Sequence, residues 1–125
     1  MAGIALRSGR SDAIAGGLRR ESHVRPGQAG RHRGRAREIL GAVEDHLLPA
    51  AARFRPDLVL ISAGFDSRIG DLLGSFTLTD EDFADLTRAI MGINDGRVIS
   101  VLEGGYNLEG LASAAVAHTT ALLDG

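Results

Sequence analysis

The sequence predicts an α/β protein in which two parallel strands share a sheet and helices join and flank them. Two short β-branched runs, Leu58–Ser62 and Val98–Leu102, are separated by a single amphipathic segment of helical length. Continuous apolar runs of this size suit strands buried on both faces, as in a parallel sheet. Each run is followed by a glycine-rich loop, 63–75 and 103–107. A strand, a crossover helix and a second strand close as a right-handed βαβ unit.

Residues 1–37 come first and read differently from the rest. They hold nine of the fourteen basic residues and two acids, whereas the remainder has five basic residues and fourteen acids. Large apolar residues are few and show no sustained period, so this leader is expected to be disordered, and the domain is expected over 38–125. An arginine arm for nucleic acid and an organelle transit segment are competing readings. No aromatic residue is interleaved for base stacking, which argues against nucleic acid.

From Glu38 a helix is predicted, with Ile39, Val43, Leu47 and Phe54 near one face and Leu40 and Leu48 widening the stripe. Pro49 should kink or divide it, and Pro56 should stop it before the first strand. After the first loop, Thr79 is placed to cap a helix whose first turn carries Asp80, Glu81 and Asp82. Phe83, Leu86, Ile90 and Ile93 recur at helical spacing along it. Past the second strand, Asn107 is the expected cap of an Ala-rich helix with Leu108, Leu111, Ala115 and Leu122 facing inward.

Composition narrows the chemistry. There is no cysteine, so any metal must be held by His, Asp or Glu. No apolar run approaches the ~20 residues of a membrane span, and the expectation is a soluble cytoplasmic protein. The motifs of zinc-helix proteases, zinc ribbons, P-loop hydrolases and α/β-hydrolases are missing. Ligands of parallel sheets bind beyond the carboxyl ends of the strands, where both glycine-rich loops should meet. There the chain offers Asp66 and Asp71 from one loop, and Glu103, Tyr106 and Asn107 from the other. Carboxylates are hard oxygen ligands for a metal, and a phenol can donate to a developing oxyanion. The same aspartates could equally be turn formers or caps, and Tyr106 an edge residue. His46 and His118 read as packed or half-exposed helix residues rather than ligands.

Taken together, "RPDLVLISAGFDSRIGDLLGSFTLTDEDFADLT" and "GRVISVLEGGYNLEGLASAAVAHTTALL" resemble the C-terminal part of the histone deacetylase superfamily. They are most similar to its bacterial, acetoin-utilisation-type and class II members. The resemblance implies a partial arginase/deacetylase-like fold and a Zn²⁺ site at the carboxyl edge of the sheet. It implies that Asp71 in "IGDLLG" is one zinc ligand and that Tyr106 in "EGGYN" donates to the oxyanion during amide hydrolysis. It further implies that Gly104, Gly105 and Leu73 border an acyl-lysine tunnel, and that Asp66 in "AGFDS" supports the metal site from behind. The substrate would be acetylated lysine or a small acetamide such as an acetylpolyamine. Leu73 offers no carboxylate for a polyamine cation, which leans toward acyl-lysine.

Several family features are not found. The Asp-x-His motif that supplies the other ligands and the tandem His-His base are missing, and "EDH" at 44–46 has the wrong spacing. Leu72 stands where a proline is usual, "MGINDGRV" is a shortened link, and the likeness stops upstream of Glu38. The expectation is therefore an incomplete deacetylase chain, inactive alone, with an unpaired strand edge and an uncovered apolar face that favour self-association. The alternative is a non-catalytic scaffold carrying an arginine-rich nucleic-acid-binding arm.

Overall fold

A computed structural model describes residues 3–8, 11–13 and 32–125. Helical structure begins at His32 with α1 (His32–Ala42), a π-helical turn (Val43–Leu47) and α2 (Leu48–Phe54). Pro49 lies in the first turn of α2. A proline removes one N–H and crowds the carbonyl four residues earlier. The predicted kink takes the form of the widened turn, in which the Leu48 N–H bonds to the Val43 carbonyl. Arg55 then adopts the left-handed conformation (φ 54°, ψ 64°) and Pro56 prevents any continuation.

Strand β3 (Leu58–Ala63) pairs in parallel with β4 (Val98–Leu102), in register Val59↔Val98 to Ala63↔Leu102. Between them lies α3 (Asp80–Met91), and α4 (Leu108–Asp124) follows β4. The βαβ unit is thus the one predicted. Thr79 caps α3 as expected: its hydroxyl accepts the Asp82 N–H at 3.3 Å, and the Asp82 carboxylate accepts the Thr79 N–H at 2.7 Å. This reciprocal pair satisfies two otherwise orphaned donors.

The leader expected over 1–37 departs from prediction wherever it is described. Strands β1 (Gly3–Ser8) and β2 (Ser11–Ala13) pair antiparallel, and β1 lies antiparallel against β3 from Gly3↔Ser62 to Arg7↔Leu58. The sheet order is β2-β1-β3-β4. Strand pairing is a main-chain interaction, so it does not require the apolar period that the sequence lacks here. The start of α1 also falls inside the expected leader. Arg10, Arg19, Arg20, Arg25, Arg31 and His23 lie outside the described residues, and with them most of the proposed arginine arm.

One face of β3 carries Val59, Ile61 and Ala63, all buried in a core with Ala36, Ala51, Phe65, Leu78, Phe83, Ile90 and Ala114. The prediction that β3 is buried on both faces is corrected. Leu60, Ile99 and Val101 line the opposite face and are 38%, 49% and 52% exposed. The described residues place helices on one side of the sheet only.

The inward face of α4 also differs from prediction. Gly110, Ala114, His118 and Ala121 are buried, Leu111 and Ala115 are partly buried, and Leu108 is 81% exposed. Small side chains let α4 pack close to α3, so the larger residues at its start and end turn outward. His118 is packed, as expected, and it joins three elements. The Thr87 hydroxyl donates to the Phe83 carbonyl at 2.6 Å, so His118 Nδ1–H must donate to Thr87 at 2.7 Å. Nε2 is left to accept the Ser100 hydroxyl at 2.8 Å. Burial pushes the His118 pKa down, in keeping with this neutral tautomer.

Candidate functional site

The two loops meet at the carboxyl edge because the parallel ladder continues past the strands. Glu103 N–H bonds to the Ala63 carbonyl at 3.0 Å, and Phe65 N–H bonds to the Gly104 carbonyl at 2.8 Å. Phe65 then turns inward against Phe83 and His118, anchoring the first loop to the core. This loop is pinned on itself where Ile69 N–H bonds to the Leu78 carbonyl and Leu78 N–H to the Ser67 carbonyl, at 2.9 and 3.1 Å.

Asp71 links the loops. Its Oδ1 accepts Leu73 and Gly74 N–H at 2.9 and 2.8 Å, within its own loop. Its Oδ2 accepts Tyr106 and Asn107 N–H at 2.7 and 3.3 Å, across to the other. The Tyr106 N–H is the main cause that lowers the Asp71 pKa from 3.8 to about 2; burial opposes it, and the Leu73, Gly74 and Asn107 N–H groups add to the fall. Asn107 closes the junction from the other side. It caps α4 by accepting the Gly110 N–H at 3.1 Å and donates Nδ2–H to the Gly70 carbonyl at 2.9 Å.

The structure brings Asp66, Asp71, Gly104, Gly105 and Tyr106 to this edge, as the sequence predicted. A Cβ on Gly104 would lie 3.3 Å from Asp66 Cγ, so the Asp66 carboxylate sits directly behind that glycine. Gly105 has φ 140° and a Cβ there would come within 2.8 Å of Leu111, so it admits no side chain. Tyr106 is half-exposed at the rim, and Leu72 and Leu73 of the first loop are strongly exposed. His118 is not part of this edge, since both its nitrogens are engaged within the core.

The tight turn at Gly74 and the pairing of Arg68 with Asp80 are not predicted by the sequence. A Cβ on Gly74 would overlap the Asp66 carbonyl oxygen, so the loop folds back on itself only with glycine there. Arg68 Nε and Nη2 grip the two Asp80 carboxylate oxygens at 2.6 and 3.0 Å. An arginine within a glycine-rich loop, ahead of an acid in the next helix's first turn, is the signal that could have suggested the pair.

The fit to zinc can be judged from the donor set. A catalytic zinc site uses three protein ligands, and among the described residues no group of three His, Cys, Asp or Glu side chains converges. A carboxylate offers about four lone-pair positions, and four N–H groups already face those of Asp71. The described residues do not by themselves make a zinc site.

Comparison with known proteins covers most of the chain. Residues 25–122 match the family described as the histone deacetylase domain, so the likeness begins upstream of Glu38. Histone deacetylase clr3 of Schizosaccharomyces pombe is 42% identical over 86 residues, which are 69% of this chain and 12% of that protein. Polyamine deacetylase HDAC10 of Homo sapiens is 52% identical over 77 residues, 62% of this chain and 12% of that protein. The crystal structure of the HDA15 HD domain superimposes with a TM-score of 0.69 at 36% identity, covering 71% of this chain and 25% of that one. The chain thus spans a small part of the length of the relatives it matches.

Proposed function

The chain belongs to the histone deacetylase family, and on that premise we propose that it supplies one wall of a zinc-dependent deacetylase centre. The substrate class is an acetylated lysine or a related acetamide. The observation that carries this reading is the Asp71–Tyr106 junction, in which the backbone N–H of the residue bearing the candidate oxyanion donor bonds to the candidate metal carboxylate at 2.7 Å across two loops. In this reading the half-exposed Tyr106 phenol donates to the oxygen that gains charge as the amide carbonyl is attacked. Asp71 would be one of at least three zinc ligands, exchanging part of its four N–H contacts for the metal, with the other ligands coming from outside the described residues. Gly104 and Gly105 let the main chain approach the acyl chain closely, Leu73 lines its entrance, and Asp66 buttresses Gly104.

Relatives named as histone deacetylases and as polyamine deacetylases both match, so both substrate classes belong in the test. Leu73 is exposed and its own side chain supplies no carboxylate for a polyamine cation, which favours acyl-lysine. The open face of Leu60, Ile99 and Val101 supports self-association of the chain. A cytoplasmic setting is part of the same proposal.

The experiment is a graft. Residues 38–125 replace the aligned segment of the Schizosaccharomyces pombe clr3 protein, and the chimera is assayed on an acetyl-lysine peptide and an acetylated polyamine. We expect peptide turnover that falls by ~10²–10³-fold on Tyr106→Phe, the usual effect of losing one oxyanion donor. A folded, zinc-loaded chimera with no turnover of either substrate would contradict the reading.

A further inference from the structure

Arg68 belongs to none of the roles above, yet it stands where three elements meet. Its guanidinium pairs with Asp80 at the start of α3 through both Nε and Nη2, at 2.6 and 3.0 Å, while Nη1 donates to the Ile69 carbonyl at 3.1 Å. It also lies against the first turn of α4: a Cβ on Gly110 would come within 3.0 Å of Nη1 and 3.2 Å of Cδ. Both partners are largely sheltered, with side chains 22% and 35% exposed. A two-point arginine–carboxylate pair fixes orientation as well as distance, which a single contact does not.

Asp71 is three residues further on, and its N–H bonds to the Arg68 carbonyl at 3.2 Å. The first loop therefore touches the start of α4 at two places. Arg68 abuts Gly110 on one side, and Asp71 holds Tyr106 and Asn107 on the other. We propose that Arg68, clamped by Asp80, is a positioning residue of the site: it sets the first loop against α3 and α4, so that the Asp71 carboxylate meets the Tyr106 backbone. The word "site" rests on the deacetylase reading above; the coupling between the loops does not.

Clamping also accounts for how the loop holds its shape. Beyond the Phe65 anchor the loop contains Gly70 and Gly74 and exposes Leu72 and Leu73, so little apolar burial fixes that part. The pair is mutually reinforcing. Hydrogen bonding to Arg68 lowers the Asp80 pKa, and hydrogen bonding to Asp80 raises that of Arg68, so both stay charged around neutral pH.

The test uses the full chain and amide hydrogen exchange read by NMR. Arg68→Ala, Asp80→Ala and the double variant are compared at the Tyr106 amide, which bonds across the loops, and at the Val59 amide, which bonds to the Arg97 carbonyl in the core. Each single variant should speed Tyr106 exchange about tenfold, with the double no faster than either and Val59 altered less than about twofold. Unchanged Tyr106 exchange in Arg68→Ala overturns the proposal, and so does an additive double variant. Should Arg68→Ala loosen the whole chain, Arg68→Lys decides, because it keeps the charge but not the fork. Selective loss at Tyr106 then supports positioning, and uniform loss at both amides overturns it. Turnover is not read, so failure here and failure of the deacetylase reading are separate outcomes.

Discussion

The two faces of the β3–β4 pair are built from similar residues and are treated differently. Val59, Ile61, Ala63 and Val98 pack into the core, whereas Leu60, Ile99 and Val101 stay 38–52% exposed among the described residues. At the carboxyl edge the polar groups are well matched, down to four N–H donors on one carboxylate. The difference teaches that the described residues carry a locally finished edge on a sheet finished on one side. A strand pair apolar on both faces is prepared for two covering layers. The chain covers only 25% of the HDA15 domain it superimposes on, so most of that fold has no counterpart here.

The largest effect should come from the covered face. Phe65→Ala removes a ring packed on Phe83 and His118, and unfolding in urea should show a loss of about 3–5 kcal/mol. A loss no larger than that of an exposed residue would erase the contrast between the faces. His118→Ala follows, at about 1–3 kcal/mol, because the Ser100 hydroxyl loses its acceptor. This difference depends on pH in a fixed direction. The folded pKa is depressed below 6.5, so the contribution is fully present above 6.5 and shrinks as pH falls below it. Urea midpoints of wild type and variant should converge in that range.

Asp71 sharpens the contrast at lower pH. Its folded pKa of about 2 lies below the ordinary 3.8, so its stabilisation is present above 3.8 and is lost as pH falls from 3.8 through 2. Asp71→Asn should flatten stability over that window, and an unchanged pH profile would mean that the carboxylate does not join the loops in solution. The smallest stability effect belongs to the bare face. Ile99→Ser should change stability by less than about 0.5 kcal/mol while shifting sedimentation toward monomer. A large destabilisation would mean that this face is already covered within the chain.

Much of this was legible in the sequence. Thr79 and Asn107 cap the helices they were expected to cap, because side-chain capping is local and depends on a few neighbours. The meeting of the two loops followed from parallel pairing alone. What escaped was set by tertiary packing. Helical period could not show that α4 would turn Ala114 and Ala121 inward rather than Leu108, since close approach to α3 selects small residues. The pairing of β1 with β3 rests on backbone groups that every residue carries, so no residue type announces it. Arg68 and Asp80 are twelve positions apart, and only the fold brings their charges together.

Under the proposed function, the described residues form one wall of a metal-dependent centre and lack enough ligands of their own to bind zinc tightly. Competition between the full chain and a chromogenic zinc chelator tests it most directly, comparing wild type with Asp71→Ala. The account predicts no binding tighter than about micromolar for either protein, since a catalytic site needs three ligands and no three such side chains converge among the described residues. Tight one-to-one zinc binding by the wild-type chain, abolished in Asp71→Ala, would contradict it.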